Sequence, residues 1–320
     1  MLYNDAPFML YKCAVYDILK ITFRIGGAAV REFTLMTDVN TDVEEDYAAR
    51  EGIIIMPQYY HFGDGVIYGD EIKLDPDTFY KRLDAGEVAK SSGCNPARVR
   101  EMFEAELDKG KDILAIICSS GLSMSFNTCL NVGRELMEER PECKIIVIDS
   151  LNESEGAGLM LHMARDMQLA GHKMEEIEAE VVRQRENFHA MFVVDDLKYL
   201  VRGGRLSAFG GTVGTMLDIK PILYINTSTE GKIIALKKVR TRKRAINEII
   251  RMFKEMDPDP RYTCVVHTNN EPSAIELIAR IKEELGIEVS FINEINNTIG
   301  AHTGPNALGF GCLARKPLKK

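Results

Sequence analysis

From Phe33 onward, short apolar runs alternate with amphipathic stretches. Phe33-Thr34-Leu35-Met36-Thr37, Ile53-Ile54-Ile55-Met56-Pro57, Ile113–Cys118 and Lys144–Asp149 read as strands. Ile113–Cys118 is continuously apolar, as expected of a strand covered on both faces. Gln58 to Phe62 extends the second strand, and Gly63-Asp64-Gly65 is turn chemistry. Helices are predicted over Asp42–Arg50, Pro76–Asp84, Pro96–Lys109, from the serine-rich stretch after Cys118 through Arg140, and over Glu155–Gly171. Pro76 and Pro96 suit a first helical turn, where a missing N–H costs little. Such alternation predicts an α/β domain on a parallel sheet.

The texture changes near Asn187–Met191. Met191–Val194, Lys232–Val239, Thr263–His267, Glu288–Ile292 and Ala307–Ala314 read as strands, and Thr241–Met256 and Pro272–Leu285 as helices. A glycine-rich, helix-like stretch runs to Leu217. This half predicts an α+β domain with a mixed sheet and helices on one side. The expected organisation is an N-terminal extension (1–32), an α/β domain (33–187) and an α+β domain (188–320). No repeat or low-complexity linker separates the domains, so they are expected to pack closely.

Length and charge narrow the function. The chain has 320 residues, 45% hydrophobic and 28% charged, with a formal net charge of −8. The acidic balance argues against broad nucleic-acid binding, which needs many phosphate-neutralising cations. Phe8 to Val30 is apolar but carries Lys12, Asp17, Lys20 and Arg24. It falls short of the roughly 20 apolar residues of a transmembrane helix, lacks a signal-peptide pattern, and reads as a surface segment. The seven cysteines form no Cys-x-x-Cys pair, and several lie in apolar runs. They predict buried, reduced thiols, a cytoplasmic location and no metal site.

Ligands of open parallel sheets sit beyond the carboxyl ends of the strands. Three such ends are polar: Thr37-Asp38, Ser119-Ser120-Gly121-Leu122-Ser123 and Asp149-Ser150. The serine stretch, read as opening a helix, offers hydroxyls and unpaired N–H groups to an anion; Ser119 or Ser120 fits equally as an N-cap. Lys90-Ser91-Ser92-Gly93-Cys94-Asn95-Pro96 is a second polar knot, with capping again the alternative. In Ile299–Asn306 a lone His302 sits among small residues and reads as a loop histidine able to approach a ligand. Asp195 and Asp196 are adjacent on a strand, hence on opposite faces, and suit capping better than acid–base work. Arg202-Gly203-Gly204-Arg205 and the basic run from Lys237 to Arg244 are candidate partner contacts, the latter equally a solvated face. Walker, Gly-x-Gly-x-x-Gly and Gly-x-Ser-x-Gly motifs are absent.

Seven segments, taken in order, resemble the DegV family of fatty-acid-binding proteins over about residues 33 to 315. They are Thr37–Asp42, Ser91–Pro96, Ser119–Phe126, Val147–Ser150, Val194–Ser207, Lys220–Leu223 and His302–Pro305. The resemblance implies a two-domain protein with an acyl chain in an apolar tunnel and its carboxylate near the domain junction. It places carboxylate-binding hydroxyls at Ser92 and Ser123 first, then Ser91 and Ser120, with His302 close by. It implies no catalytic residue, no metal and no cofactor besides the bound long-chain fatty acid. It also implies a partner, a separate ATP-using fatty-acid kinase subunit that makes the acyl phosphate. Met124 stands where the family has glycine, which predicts a narrowed or reshaped carboxylate seat.

The physics is compatible. A carboxylate needs several donors when desolvated, and a chain of some sixteen carbons could contribute up to roughly 10 kcal/mol gross. The competing reading is an enzyme acting on a small carboxylated or phosphorylated substrate, with His302 as acid–base within reach of Ser123 or Ser92. A third is a ligand-dependent regulatory module that meets its partner through Arg202, Arg205 and residues 237–244.

Overall fold

A computed structural model describes residues 31–206 and 219–318. The architecture is a two-domain α/β one, an N-terminal parallel sheet followed by a C-terminal mixed sheet. In the first domain β1 (Phe33–Asp38), β2 (Ile54–Met56), β5 (Asp112–Ile117) and β6 (Ile145–Asp149) pair in parallel in the order β2-β1-β5-β6. Side chains alternate between faces, as a period of two requires. Met36, Ala115 and Ile117 pack against helices α3 (Pro96–Leu107) and α4 (Ser125–Glu139) through Phe103, Val132 and Leu136. Leu35, Leu114 and Ile116 face the opposite way, onto α5 (Ser154–Leu169).

The second sheet runs β11-β10-β12-β7-β8-β9, from β7 (Phe188–Val193), β8 (Ile222–Ile225), β9 (Ile234–Lys237), β10 (Pro258–His267), β11 (Phe291–Glu294) and β12 (Leu308–Ala314). Among the described strands of this sheet only the β10–β11 pair is parallel. Helices α8 (Arg242–Met256) and α9 (Glu271–Leu285) cover its outer face, where Phe253 meets Phe310 at 4.2 Å between centroids. Its inner face, with Phe192, Cys264 and Val266, joins the core around α5. That helix therefore lies between the two sheets, and every residue from Ser154 to Ala164 is buried.

Several expectations need correction. Gln58–Phe62 does not extend β2; β3 (Tyr59–His61) leaves the main sheet and pairs antiparallel with β4 (Lys90–Ser92). Pro57 cannot donate a ladder hydrogen bond, and Tyr60 and Phe62 instead join Tyr68, Phe79 and Tyr80 in an aromatic cluster. The serine knot at 91–92 is thus part of a strand. The helix after Ser119 begins only at Ser125, leaving a loop in between. Helix α6 (Met174–Gln184) and strand β8 were not foreseen. The expected helix-like stretch after Leu206 and residues 1–30 of the extension lie outside the described residues. The six described cysteines are buried thiols. Among the described residues no helix is long and apolar enough to cross a membrane.

One acid sits inside the interdomain packing. Glu155 of α5 lies against the glycine stripe of β12: a Cβ at Gly309 would come 2.7 Å from Glu155 Oε1, and one at Gly311 2.6 Å from its Cγ. Oε1 is buried with no hydrogen-bond partner, and burial raises the carboxyl to about 8. The folded state thus holds this proton more tightly than the unfolded chain. Its contribution is complete below the ordinary glutamate value and is lost as pH rises towards about 8. Between those values wild-type thermal stability should fall with pH, by up to about 1.4 kcal/mol per unit from this group. Glu155→Gln should flatten that slope in pH-dependent thermal denaturation.

Candidate ligand-binding cleft

The carboxyl ends of the parallel strands converge on one small cleft of about 50 Å³. Asn40 follows β1, Gln58 follows β2, Ser123 follows β5 and Glu153 follows β6, and all four line it. Ser91, Ser92 and Gly93 supply another wall. The second domain closes the cleft with Leu200 and Arg205 at and after α7 (Lys198–Arg202), Ile233 before β9, and residues of α10 (Asn297–Thr303). Leu122, Leu200, Ile233 and Ile299 make part of the lining apolar.

His302 is on α10 and not in a loop. Asn296 caps that helix, accepting from the N–H groups of Thr298 and Ile299, and Gly304 ends it. The cap aims His302 back at the first domain, where Nε2 lies 2.6 Å from Ser91 Oγ. Burial, reinforced by the positive charges of Arg205 and Arg202, pushes the imidazole down to about 4. It is therefore neutral near pH 7. Its Nδ1 is buried without a hydrogen bond. An unpaired lone pair is more tolerable there than an unpaired N–H, so the favoured tautomer donates from Nε2 to Ser91. The Ser91 proton is then free to point at a ligand.

The other serines divide. Ser92 is exposed at the cleft. Ser123 Oγ accepts from Ser125 N at 3.2 Å and shares a 2.9 Å hydrogen bond with Ser125 Oγ, fixing the loop that opens α4. Ser120 is not among the lining residues; its N–H donates to Asp149. Ser119 is buried and donates to Gly231 O, tying the loop to the second domain. Met124 projects outward, 67% exposed, and borders a separate surface hollow with Pro96 and Thr128. The narrowing expected from it does not occur, because the chain turns between Ser123 and Ser125 and carries that side chain away from the cleft.

Arg205 lines the cleft, donating from Nε to Leu122 O at 3.1 Å and from Nη1 to Gly203 O at 2.6 Å. Arg202 is exposed, its guanidinium 5.2 Å from the Tyr199 ring centroid. Asp196 accepts from Lys198 N in the turn before α7, whose N-cap is Leu197, and Asp195 pairs with Arg242. Lys237 pairs with Glu248, whereas Arg240, Lys243 and Arg244 are exposed.

Beneath the hydroxyls lies a buried polar floor that sequence reasoning largely missed. Asp38 accepts from Cys118 N, Asn40 N and Gln58 Nε2. Asn40 Nδ2 donates to Gln58 Oε1 and, at 2.9 Å, to Glu153 Oε1. Asp38 belongs to one of the three polar strand ends and Asn40 to the Thr37–Asp42 segment, but the sequence reads Gln58 only as a strand extension and does not single out Glu153. No cluster of His, Cys, Asp and Glu able to hold a metal occurs among the described residues.

Chemically, the cleft offers hydroxyl donors and one arginine to an anion, and apolar surface beside them. Activation of Ser91 as a nucleophile is poorly served, since a base near 4 with nothing orienting its Nδ1 lacks the third member of a triad. A Cβ on Gly203 would lie 2.0 Å from His302 Nδ1. Gly203→Ala should therefore displace the imidazole, break the Ser91 contact and weaken ligand retention by about tenfold. Ligand titration of the folded variant would check this.

Comparison with known proteins follows the same architecture. A model of the DegV family matches residues 32–315. A DegV domain-containing protein of Caldanaerobacter subterraneus subsp. tengcongensis is 31% identical over 282 residues, covering 88% of this chain and 98% of that protein. A fatty acid-binding protein of Thermotoga maritima is 29% identical, covering 87% and 96%. The crystal structure of DegV, a fatty acid binding protein from Bacillus subtilis, superposes with a TM-score of 0.76 at 27% identity, covering 88% and 99%. With nearly its whole length matched and the same two-sheet fold, the chain belongs to the DegV family.

Proposed function

We propose that this protein binds a long-chain fatty acid, with its carboxylate at the hydroxyls of the interdomain cleft, and presents it to a partner. The observation that carries the reading is the convergence of Ser91, Ser92, Ser123, His302 and Arg205 on one cleft with an apolar rim. Relatives at 27% and 29% identity are named as fatty-acid-binding proteins, and they support the ligand class. In this reading Ser91 and Ser92 donate to the carboxylate, Ser123 shapes the seat from the loop before α4, and Arg205 supplies charge. Ser120 contributes through the loop backbone. The acyl chain follows the apolar side of the cleft between the domains. The protein is a carrier, with no cofactor of its own.

Handing the acid on requires a face near the carboxylate. Arg202 stands next to the cleft and projects outward, and it is the proposed contact for an ATP-using fatty-acid kinase subunit. Arg205 would couple that face to the cleft, since its guanidinium already holds Leu122 O.

Protein purified from cells should release near-stoichiometric fatty acid on denaturing extraction, read by mass spectrometry. A folded Ser92→Ala, Ser123→Ala double variant should lose most of it. Absence of lipid, with no uptake when fatty acids of several lengths are offered, would sink the carrier reading. Arg202→Glu should keep its lipid yet lose acyl-phosphate formation when combined with ATP and a fatty-acid kinase subunit; loss of lipid would instead make Arg202 part of the binding site.

A further inference from the structure

Glu153 is an unexpected neighbour for a carboxylate. It lines the cleft that is to receive an anion, yet its Oε2 is shut off from water with no hydrogen-bond partner. The orientation of the group is set from below. Asp38, whose carboxyl burial also raises, accepts at both oxygens from the backbone N–H groups of Cys118 and Asn40, and it takes one amide proton of Gln58. That turns Gln58 Oε1 towards Asn40, whose two amide protons are then used by Gln58 and by Glu153 Oε1. Glu153 Oε1 is thereby fixed as an acceptor, and Oε2 is left over.

An ionised Glu153 would hold a buried negative oxygen without a donor beside Asp38 and Asp42, and would repel an incoming carboxylate. A protonated Glu153 turns the same oxygen into a donor. Resting on the fatty-acid reading above, we propose that Glu153 is a specificity-determining residue: held protonated by the Asp38–Gln58–Asn40 relay, it donates from Oε2 to one oxygen of the bound carboxylate once the entering head group displaces the packing that now covers that oxygen. The cleft then selects a carboxylic acid head group through an acid–carboxylate hydrogen bond, and ligand release is favoured when Glu153 loses its proton.

The charged and titratable groups around it agree. Burial, with Asp38 and Asp42, drives the Glu153 carboxyl well above its ordinary range, and only the Asn40 hydrogen bond and Arg205 act the other way. Cys118, on the far side of Asp38, is buried and raised as a thiol, so it adds no charge. His302 across the cleft is neutral and offers no compensating cation. Because the acid's folded value is raised, the donor is present at low pH and is lost as pH rises through that value.

The test compares fatty-acid affinity of wild type, Glu153→Gln and Glu153→Ala by fluorescence titration from about pH 6 to about pH 10. Ratios between proteins are used at each pH, so that titration of the fatty acid itself cancels. The wild type should weaken relative to Glu153→Gln as pH rises, by about tenfold per unit once Glu153 ionises. Glu153→Ala should bind about tenfold more weakly than wild type at low pH, having lost one hydrogen bond to a charged group. An infrared carbonyl band of a protonated carboxyl, lost in Glu153→Gln, gives a second readout independent of affinity. Three results overturn the proposal: a Gln variant that tracks the wild-type profile, an Ala variant that binds as tightly as wild type at low pH, or no such carbonyl band near neutral pH. If the wild type takes up no fatty acid at any pH, the fatty-acid reading itself fails and this inference falls with it; binding that is indifferent to Glu153 sinks the inference alone.

Discussion

The organisation of this molecule depends on burying α5 between two sheets. A helix covered on all sides cannot be amphipathic in the usual sense, and Ser154 to Ala164 is accordingly buried throughout. Leu159, Met160, Leu161 and Met163 supply apolar area to both sheets. Close approach on one side uses Gly309 and Gly311 of β12, which leave room for Glu155. The two domains consequently share one core, and their junction is a packed interface with the mouth of a cleft at one end. Because α5 starts where β6 ends, the same helix that joins the domains brings Glu153 to the carboxyl ends of the parallel strands.

That placement explains why so much polarity is concentrated in one region. Parallel strands end in backbone groups that need partners, and a loop buried beneath a second domain cannot rely on bulk water. Asp38 answers part of this need by accepting from Cys118 N and Asn40 N, and Asp42 by accepting from Asn296 N and Ser154 Oγ. Burial raises Asp42 to about 6 despite those donors. The network satisfies the floor of the cleft almost completely; Glu153 Oε2 and His302 Nδ1, the latter packed against Gly203, are among the few buried polar atoms left without a partner.

The sequence made the architecture readable because its signals are local and redundant. Continuous apolar runs such as Ile113–Cys118 identify doubly covered strands, and Pro76 and Pro96 mark helix starts that the structure reproduces. The misses have local causes too. α6 begins at Met174, where Glu176 accepts from Lys173 N, in a stretch too charged to stand out as an apolar pattern. β8 is only four residues long and fully buried. His302 looked like a loop residue because Gly300 and Gly304 surround it, but the Asn296 cap decides for a helix. Of the expected ligand residues, Ser91, Ser92, Ser123 and His302 share one cleft, Ser120 stays outside its lining, and Arg205, expected as a partner contact, lines it. Gln58 and Glu153 were not legible as site residues, because their roles arise from long-range hydrogen bonds to Asp38 and Asn40 that no spacing along the chain reveals.

The balance of charge in the cleft bears on how a carrier can let go of its cargo. A carboxylate clamped by several cations in a dry pocket would be held strongly and released slowly. Here the imidazole is neutral, and Arg205 already spends two of its N–H groups on Leu122 O and Gly203 O. What remains for the ligand is a set of hydroxyls held in place by other hydrogen bonds, Ser91 by His302 and Ser123 by Ser125. Such donors are prearranged, so little ordering is needed on binding, and Arg205 is the single cation among the lining residues. In the proposed reading, retention would fall mainly to the acyl chain, and its burial would depend on how closely α7 and α10 approach the first domain. A partner engaging the exposed Arg202 on α7 would then act on the element that carries Leu200 into the cleft.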